Sequence, residues 1–115
     1  MKIIDFHCDT ISKIYYNNSQ LNHNSFSVDI SKLKKSNSLA QFFALFIEKK
    51  SKEDPFDLCS NMLDRFYFEL DKNKEHISLA TNYDELIKNK SQNKISAFLT
   101  IEEGAVLKGN LLNLK

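Results

Sequence analysis

Nine consecutive residues, Leu39-Ala40-Gln41-Phe42-Phe43-Ala44-Leu45-Phe46-Ile47, are apolar except for Gln41 and show no alternation. A strand with one wet face alternates in polarity, and a buried helix needs a longer run. The segment therefore fits a strand buried on both faces, the situation of a parallel sheet. Parallel strands are joined by crossovers, usually helical, so helices should flank this run.

The neighbouring segments agree. Residues 2–7 are β-prone. Thr10 to Tyr16 spaces Ile11, Ile14 and Tyr15 for one helix face, and Ser31 to Lys35 suits a short helix. Asn17 to Asn24 is polar and reads as a surface loop. After Glu48-Lys49-Lys50, Asp54-Pro55 starts a helix with Asp54 as N-cap and Pro55 at the first helical position. Cys59, Met62, Leu63, Phe66 and Leu70 then recur at spacings of three and four, with Asp57, Asp64 and Lys72 opposite. Ile77 to Ala80 is a short strand, Thr81 or Asn82 caps a helix from Tyr83 to about Lys90, and Ile95 to Ile101 is a further strand. Asn110 to Leu114 would begin another helix. Strands alternating with helices predict an α/β fold with right-handed crossovers.

Composition narrows the class. Lys+Arg number 16 and Asp+Glu 15, for a net charge of +1, which argues against a nucleic-acid binder. Nine Phe and four Tyr supply too much apolar surface for a disordered chain. Asp5, His7 and Asp9 interrupt any secretory signal, and no segment reaches the ~20 apolar residues of a membrane span. Cys8 and Cys59 cannot make a disulfide framework, so free thiols in a cytoplasmic protein are expected. Only two Gly and one Pro are present, few for a chain with this many turns.

Active sites of parallel α/β folds lie at the carboxyl ends of the strands. The first strand runs into His7-Cys8-Asp9. Residues two apart in an extended chain share a side, so His7 and Asp9 converge while Cys8 points away. An imidazole and a carboxylate projecting together suit zinc or another divalent metal. Glu102, at the end of the last strand, can add a carboxylate to the same rim. Taken singly, His7 and Asp9 read as a surface or capping pair, and Glu102-Glu103 as a solvated turn. Their coincidence at two strand ends favours a metal site. Cys8 faces the wrong way for a nucleophile, and His23 and His76 sit in polar, solvated surroundings.

Four ordered stretches resemble the membrane dipeptidase (renal dipeptidase) family, peptidase family M19. They are Ile4-Asp5-Phe6-His7-Cys8-Asp9-Thr10, Val28-Asp29-Ile30-Ser31-Lys32-Leu33, Ala40-Gln41-Phe42-Phe43-Ala44 and Ile101-Glu102-Glu103-Gly104-Ala105-Val106-Leu107. The resemblance implies a (β/α)8 TIM barrel of the metal-dependent hydrolase type that cleaves dipeptides with two metal ions, usually zinc. His7 and Asp9 would hold one ion, and Glu102 would be the catalytic carboxylate bridging both. Glu103 stands where the family usually has Gly. The family's two further His ligands and its substrate-binding His, Arg and Asp fall beyond position 115.

A (β/α)8 barrel takes about 250 residues. The expectation is that residues 1–115 form a single partial domain, the N-terminal portion of a longer dipeptidase, inactive by itself. Three barrel strands and one extra short strand would leave Phe42 to Ile47 and Ala97 to Ile101 uncovered. The expected partners are a dipeptide substrate and, for the complete enzyme, a second copy of itself, with neither nucleic acid nor membrane. Two other readings stay open: a small non-catalytic α/β binding domain, and another metal-dependent amidohydrolase of the same barrel type.

Overall fold

The computed structural model describes residues 2–46 and 54–102. The expected helix at Asn110 to Leu114 lies outside them. The elements follow the order β1 (Ile3–Asp5), α1 (Thr10–Asn17), α2 (Ile30–Lys35), β2 (Ser38–Phe46), α3 (Pro55–Lys72), β3 (Ile77–Leu79), α4 (Tyr83–Ser91) and β4 (Ile95–Glu102).

The helices start where side chains can satisfy their first N–H groups. Asp29 accepts from Lys32 N–H, Asp54 from Phe56 and Asp57 N–H, and Asn82 from Glu85 N–H. They stop with asparagine. Asn18, Asn37 and Asn93 take positive φ of 49°, 58° and 59°, each at or just past the end of α1, α2 or α4. This left-handed position ordinarily calls for Gly, and Asn is the side chain that tolerates it best. Asparagine thus does the work that the scarce glycines would do elsewhere.

The four strands form one parallel sheet in the order β1-β2-β4-β3. The path from β2 through α3 to β3 skips a position, and α4 then brings β4 back into the gap. With right-handed crossovers, a reversal of direction moves the connecting helix to the other face of the sheet. The side chains follow this rule. Phe43, Leu45, Ile95 and Ala97 pack with Ile11 and Ile14 of α1 and with Leu58, Met62 and Phe66 of α3. Asn89 of α4 instead donates to Ser96 Oγ at 2.9 Å, on the alternate phase of β4.

Helices thus cover this face over β2 and β4, while all three residues of β1 stay exposed, and α3 buries the face expected from its periodicity, with Leu58 added. The other face differs from the expected burial on both sides. Phe42 is not core: it stacks on Phe98 with ring centroids 4.5 Å apart, and Phe6 tilts against it at 5.4 Å. Phe6 remains 73% exposed. Helices α1 and α3 lie on one side only, and α4 reaches just the β3–β4 side of the second.

The segment from Asn17 to Asn24 is not merely a surface loop. Leu21 is fully buried, and its N–H donates to Glu69 Oε1 at 2.7 Å. Glu69, itself fully buried on α3, also accepts from Arg65 Nε at 3.2 Å. Arg65 donates in turn to Asn18 Oδ1 and to the carbonyl of Ser19. A buried carboxylate with a half-buried arginine thus pins a polar loop whose own composition gives no reason for burial.

Candidate metal centre

The approach to His7 and Asp9 is built by the backbone. Past β1, Cys8 N–H donates to Phe42 O at 3.0 Å, and Ala44 N–H donates to Cys8 O at 2.7 Å. Cys8 therefore continues the parallel ladder opposite Phe43 and enters the helix-covered core. Burial pushes its thiol up to about 11, against the opposing pull of Thr10's backbone and hydroxyl. A thiol held protonated in the core is structural, not nucleophilic.

Fixing Cys8 inward leaves its two neighbours on the opposite phase. His7 is exposed, and the Asp9 side chain is half exposed. Asp5 sets the turn, accepting from His7 N–H through Oδ1 at 3.2 Å. Sequence reasoning gave Asp5 no such role, although an Asp two residues ahead of the turning N–H is the usual signal.

Asp9 stands at the N-cap of α1, where an Asp is expected to cap. Its carboxylate makes no capping hydrogen bond, unlike the side chains at the other three helix starts. Only its backbone carbonyl serves the helix, accepting from Ser12 N–H at 3.1 Å. The side chain meets Lys13 Nζ at 3.7 Å, across a solvent-exposed i,i+4 pair that is easily exchanged. The capping-pair reading of His7 and Asp9 thus fails at the atom that would have to make it.

Glu102 closes β4 in register with Phe46 of β2, at the same carboxyl end of the sheet as His7 and Asp9. One strand, β2, separates β1 from β4. Their backbones therefore lie two strand spacings, about 10 Å, apart. No group of three or more His, Cys, Asp or Glu side chains gathers among the described residues. His23 does not join His7 or Asp9: its Nδ1 lies 3.7 Å from Asp29 Oδ2, on the α2 side of the fold.

The membrane dipeptidase family model, peptidase family M19, matches residues 1–115. The chain belongs to this family. Two solved structures of M19 type share its fold. One is the dipeptidase AC, a metallo peptidase, with a TM-score of 0.83, 13% identity, and 99% of this chain aligned to 39% of that one. The other is a metallo peptidase from Rhodobacter sphaeroides, liganded with a phosphinate mimic of the dipeptide L-Ala-D-Ala. It aligns with a TM-score of 0.83 and 12% identity over 99% of this chain and 42% of the other. This M19 chain therefore spans about two fifths of the length of those proteins, and its α/β fold is that of the N-terminal portion of their TIM barrel. No curated protein sequence matches it.

The donor set fits the metal dependence of the family in kind. An imidazole and two carboxylates are ligands that divalent zinc takes. It falls short in number, since a zinc ion alone uses four ligands. No helix among the described residues is long and apolar enough to cross a membrane.

Proposed function

We propose that this chain carries the first part of a dipeptide-hydrolysing two-metal site, in which His7 and Asp9 hold one zinc ion and Glu102 bridges to a second. The observation that carries the reading is the carboxylate of Asp9, set at a helix start yet not used to cap it and engaged through an exposed pair with Lys13, two residues past His7 in the segment that follows β1. A bound metal would supply Lewis acidity toward the peptide carbonyl and an acidified water.

The chain's own residues do the positioning. Cys8, locked into the ladder, fixes the direction of His7 and Asp9, and Asp5 holds the His7 backbone. The exposed carboxylate of Asp9 is available to a cation once it leaves Lys13. Glu102, the last residue of β4, would supply a carboxylate, a group with an oxygen for each of two ions. The substrate class, a dipeptide, follows the family and the dipeptide mimic held by the Rhodobacter sphaeroides relative. Two buried free thiols, Cys8 and Cys59, support a reducing, cytoplasmic setting.

Three donors cannot saturate two ions. The 115-residue chain is therefore expected to bind zinc more weakly than about 1 μM and to hydrolyse no dipeptide by itself. Isothermal titration with zinc should show this weak binding and its loss in both His7→Ala and Asp9→Ala. Binding unchanged by either substitution would remove these ligands from the proposal. Dipeptide hydrolysis above that of the His7→Ala variant would show that the site is complete within 115 residues.

A further inference from the structure

Basic side chains from five parts of the chain meet at the opposite end of the sheet from His7 and Asp9. Lys2, His76 and Lys94 each stand one residue before a strand, ahead of β1, β3 and β4. Lys34 and Lys90 come from the last turns of α2 and α4. Parallel strand order brings all of these starts and helix ends to one rim. The five side chains line an open cleft of about 300 Å³ that no carboxylate lines. Among the described residues, none of the four lysines forms a salt bridge.

Helix ends account for part of this charge. Cations are favourable in a last turn, so Lys34 and Lys90 have a local reason to be there. Lys2 and Lys94 have no such reason, because neither belongs to a helix. The chain as a whole carries only +1, so four lysines around one concavity are a local concentration of charge. A concave wall of one sign focuses its field into the cleft and draws in the opposite charge.

His76 adds direction. Lys34 Nζ lies 2.7 Å from its Nδ1, so the ammonium donates to the ring and leaves Nε2–H as a further donor. Ammonium groups bind phosphate oxygens as point charges, and four of them match a ligand with several negative charges better than a single carboxylate. A volume of about 300 Å³ is at the lower bound of small-molecule sites, which limits the ligand to a compact one.

We propose that this cleft binds a small polyphosphate, a chain of two or three phosphate groups, free or as part of a nucleotide. The site is independent of the metal centre, because it draws on the amino ends of the strands and on none of the metal ligands.

Isothermal titration of the 115-residue chain with tripolyphosphate at low salt tests it. One saturable site is expected, about tenfold or more tighter than for orthophosphate. The Lys34→Gln/Lys94→Gln pair should weaken binding by about tenfold, and Lys2→Gln, outside every helix and strand, by about threefold. Lys72→Gln on α3 should leave it unchanged. A parallel titration with ATP separates the sources: equal affinity means that the phosphate chain alone is read, and tighter binding means that a nucleotide is. Absence of saturable binding, or equal weakening by Lys72→Gln, overturns the proposal. Should the double variant lose its cooperative thermal transition, Lys2→Gln decides, and unchanged affinity there also overturns it.

Discussion

Glu69 is a charged residue on the apolar side of α3, and the structure shows why it is tolerated. Its two oxygens are used by Leu21 N–H and Arg65 Nε. Truncation to Ala would bury an unpaired N–H and strip Arg65 of its counter-charge. We expect Glu69→Ala to destabilise the fold by about 3 kcal/mol, measured by urea denaturation. A loss under about 1 kcal/mol would mean that the loop at Leu21 is not held by this contact. Asp29 shows the complementary case. Burial alone would raise its pKa, but the N–H groups of Asn24 and Lys32 and the Lys32 ammonium outweigh it and hold the carboxyl below its ordinary 3.8. A depressed carboxylate stabilises the fold above the unfolded-state value and loses that contribution as pH falls through the folded value. Stability should therefore drop below about pH 4, and the drop should shrink in Asp29→Asn, read from urea midpoints at pH 3 and pH 6. The Asp in Val28-Asp29-Ile30, part of the family-like pattern, is thus a helix cap by its contacts.

Elements in this chain end on asparagine, and that can be tested where the strain sits. Asn93 has φ of 59° between α4 and β4. A β-carbon without a polar head pays the full left-handed cost there, so Asn93→Ala should lower stability by about 1 kcal/mol, whereas Asn93→Gly should match or exceed the parent. Equal melting temperatures for the two variants would contradict this. Helix α3 offers a second test at its start. Asp54 accepts from two N–H groups, and Asp54→Ala should cost about 1 kcal/mol in thermal or urea unfolding. Helix positions were largely legible in the sequence because caps and 3.6-residue spacing are local signals. The three-residue strand Ile77–Leu79 and the eight-residue strand Ile95–Glu102 were legible from apolar runs between polar breaks. Which of them would lie next to β2 was not legible, since strand order depends on where α3 and α4 cross.

At the scale of the whole molecule, the unequal faces of the sheet matter most. Helices α1 and α3 cover the centre of one face, while Phe6, Phe42 and Phe98 stack on the other, with Phe6 and Ile4 open to solvent. In a closed barrel this phase of the strands points to the packed interior. In the 115-residue chain it is an exposed apolar patch, and such patches bind apolar probes. The chain should enhance the fluorescence of anilinonaphthalene sulfonate while keeping a cooperative thermal transition. Phe42→Ser should reduce that enhancement, because it removes the middle ring of the stack. An unchanged signal would place the probe elsewhere. The arrangement also explains why one apolar run could be read as buried on both sides: its composition suits a barrel strand, whose second face is covered by strands other than those described.

The sequence by itself determined the local part of this protein. Apolar runs, caps and helical spacing specify the elements, and alternation along the chain separates the buried Cys8 from the exposed His7 before it. These are consequences of backbone geometry within a few residues. Only the tertiary structure decided what depends on residues distant in the chain. The β1-β2-β4-β3 order placed α4 on the second face. The Leu21–Glu69 bond turned a polar loop into an anchored one. The ladder from Cys8 to Phe42 and Ala44 turned the Cys8 thiol into the helix-covered core. Lys90 and Lys94 are neighbours in the chain, but their gathering with Lys2, Lys34 and His76 at one rim arose from parallel strand pairing, because those elements need not be neighbours until the crossovers have chosen their places.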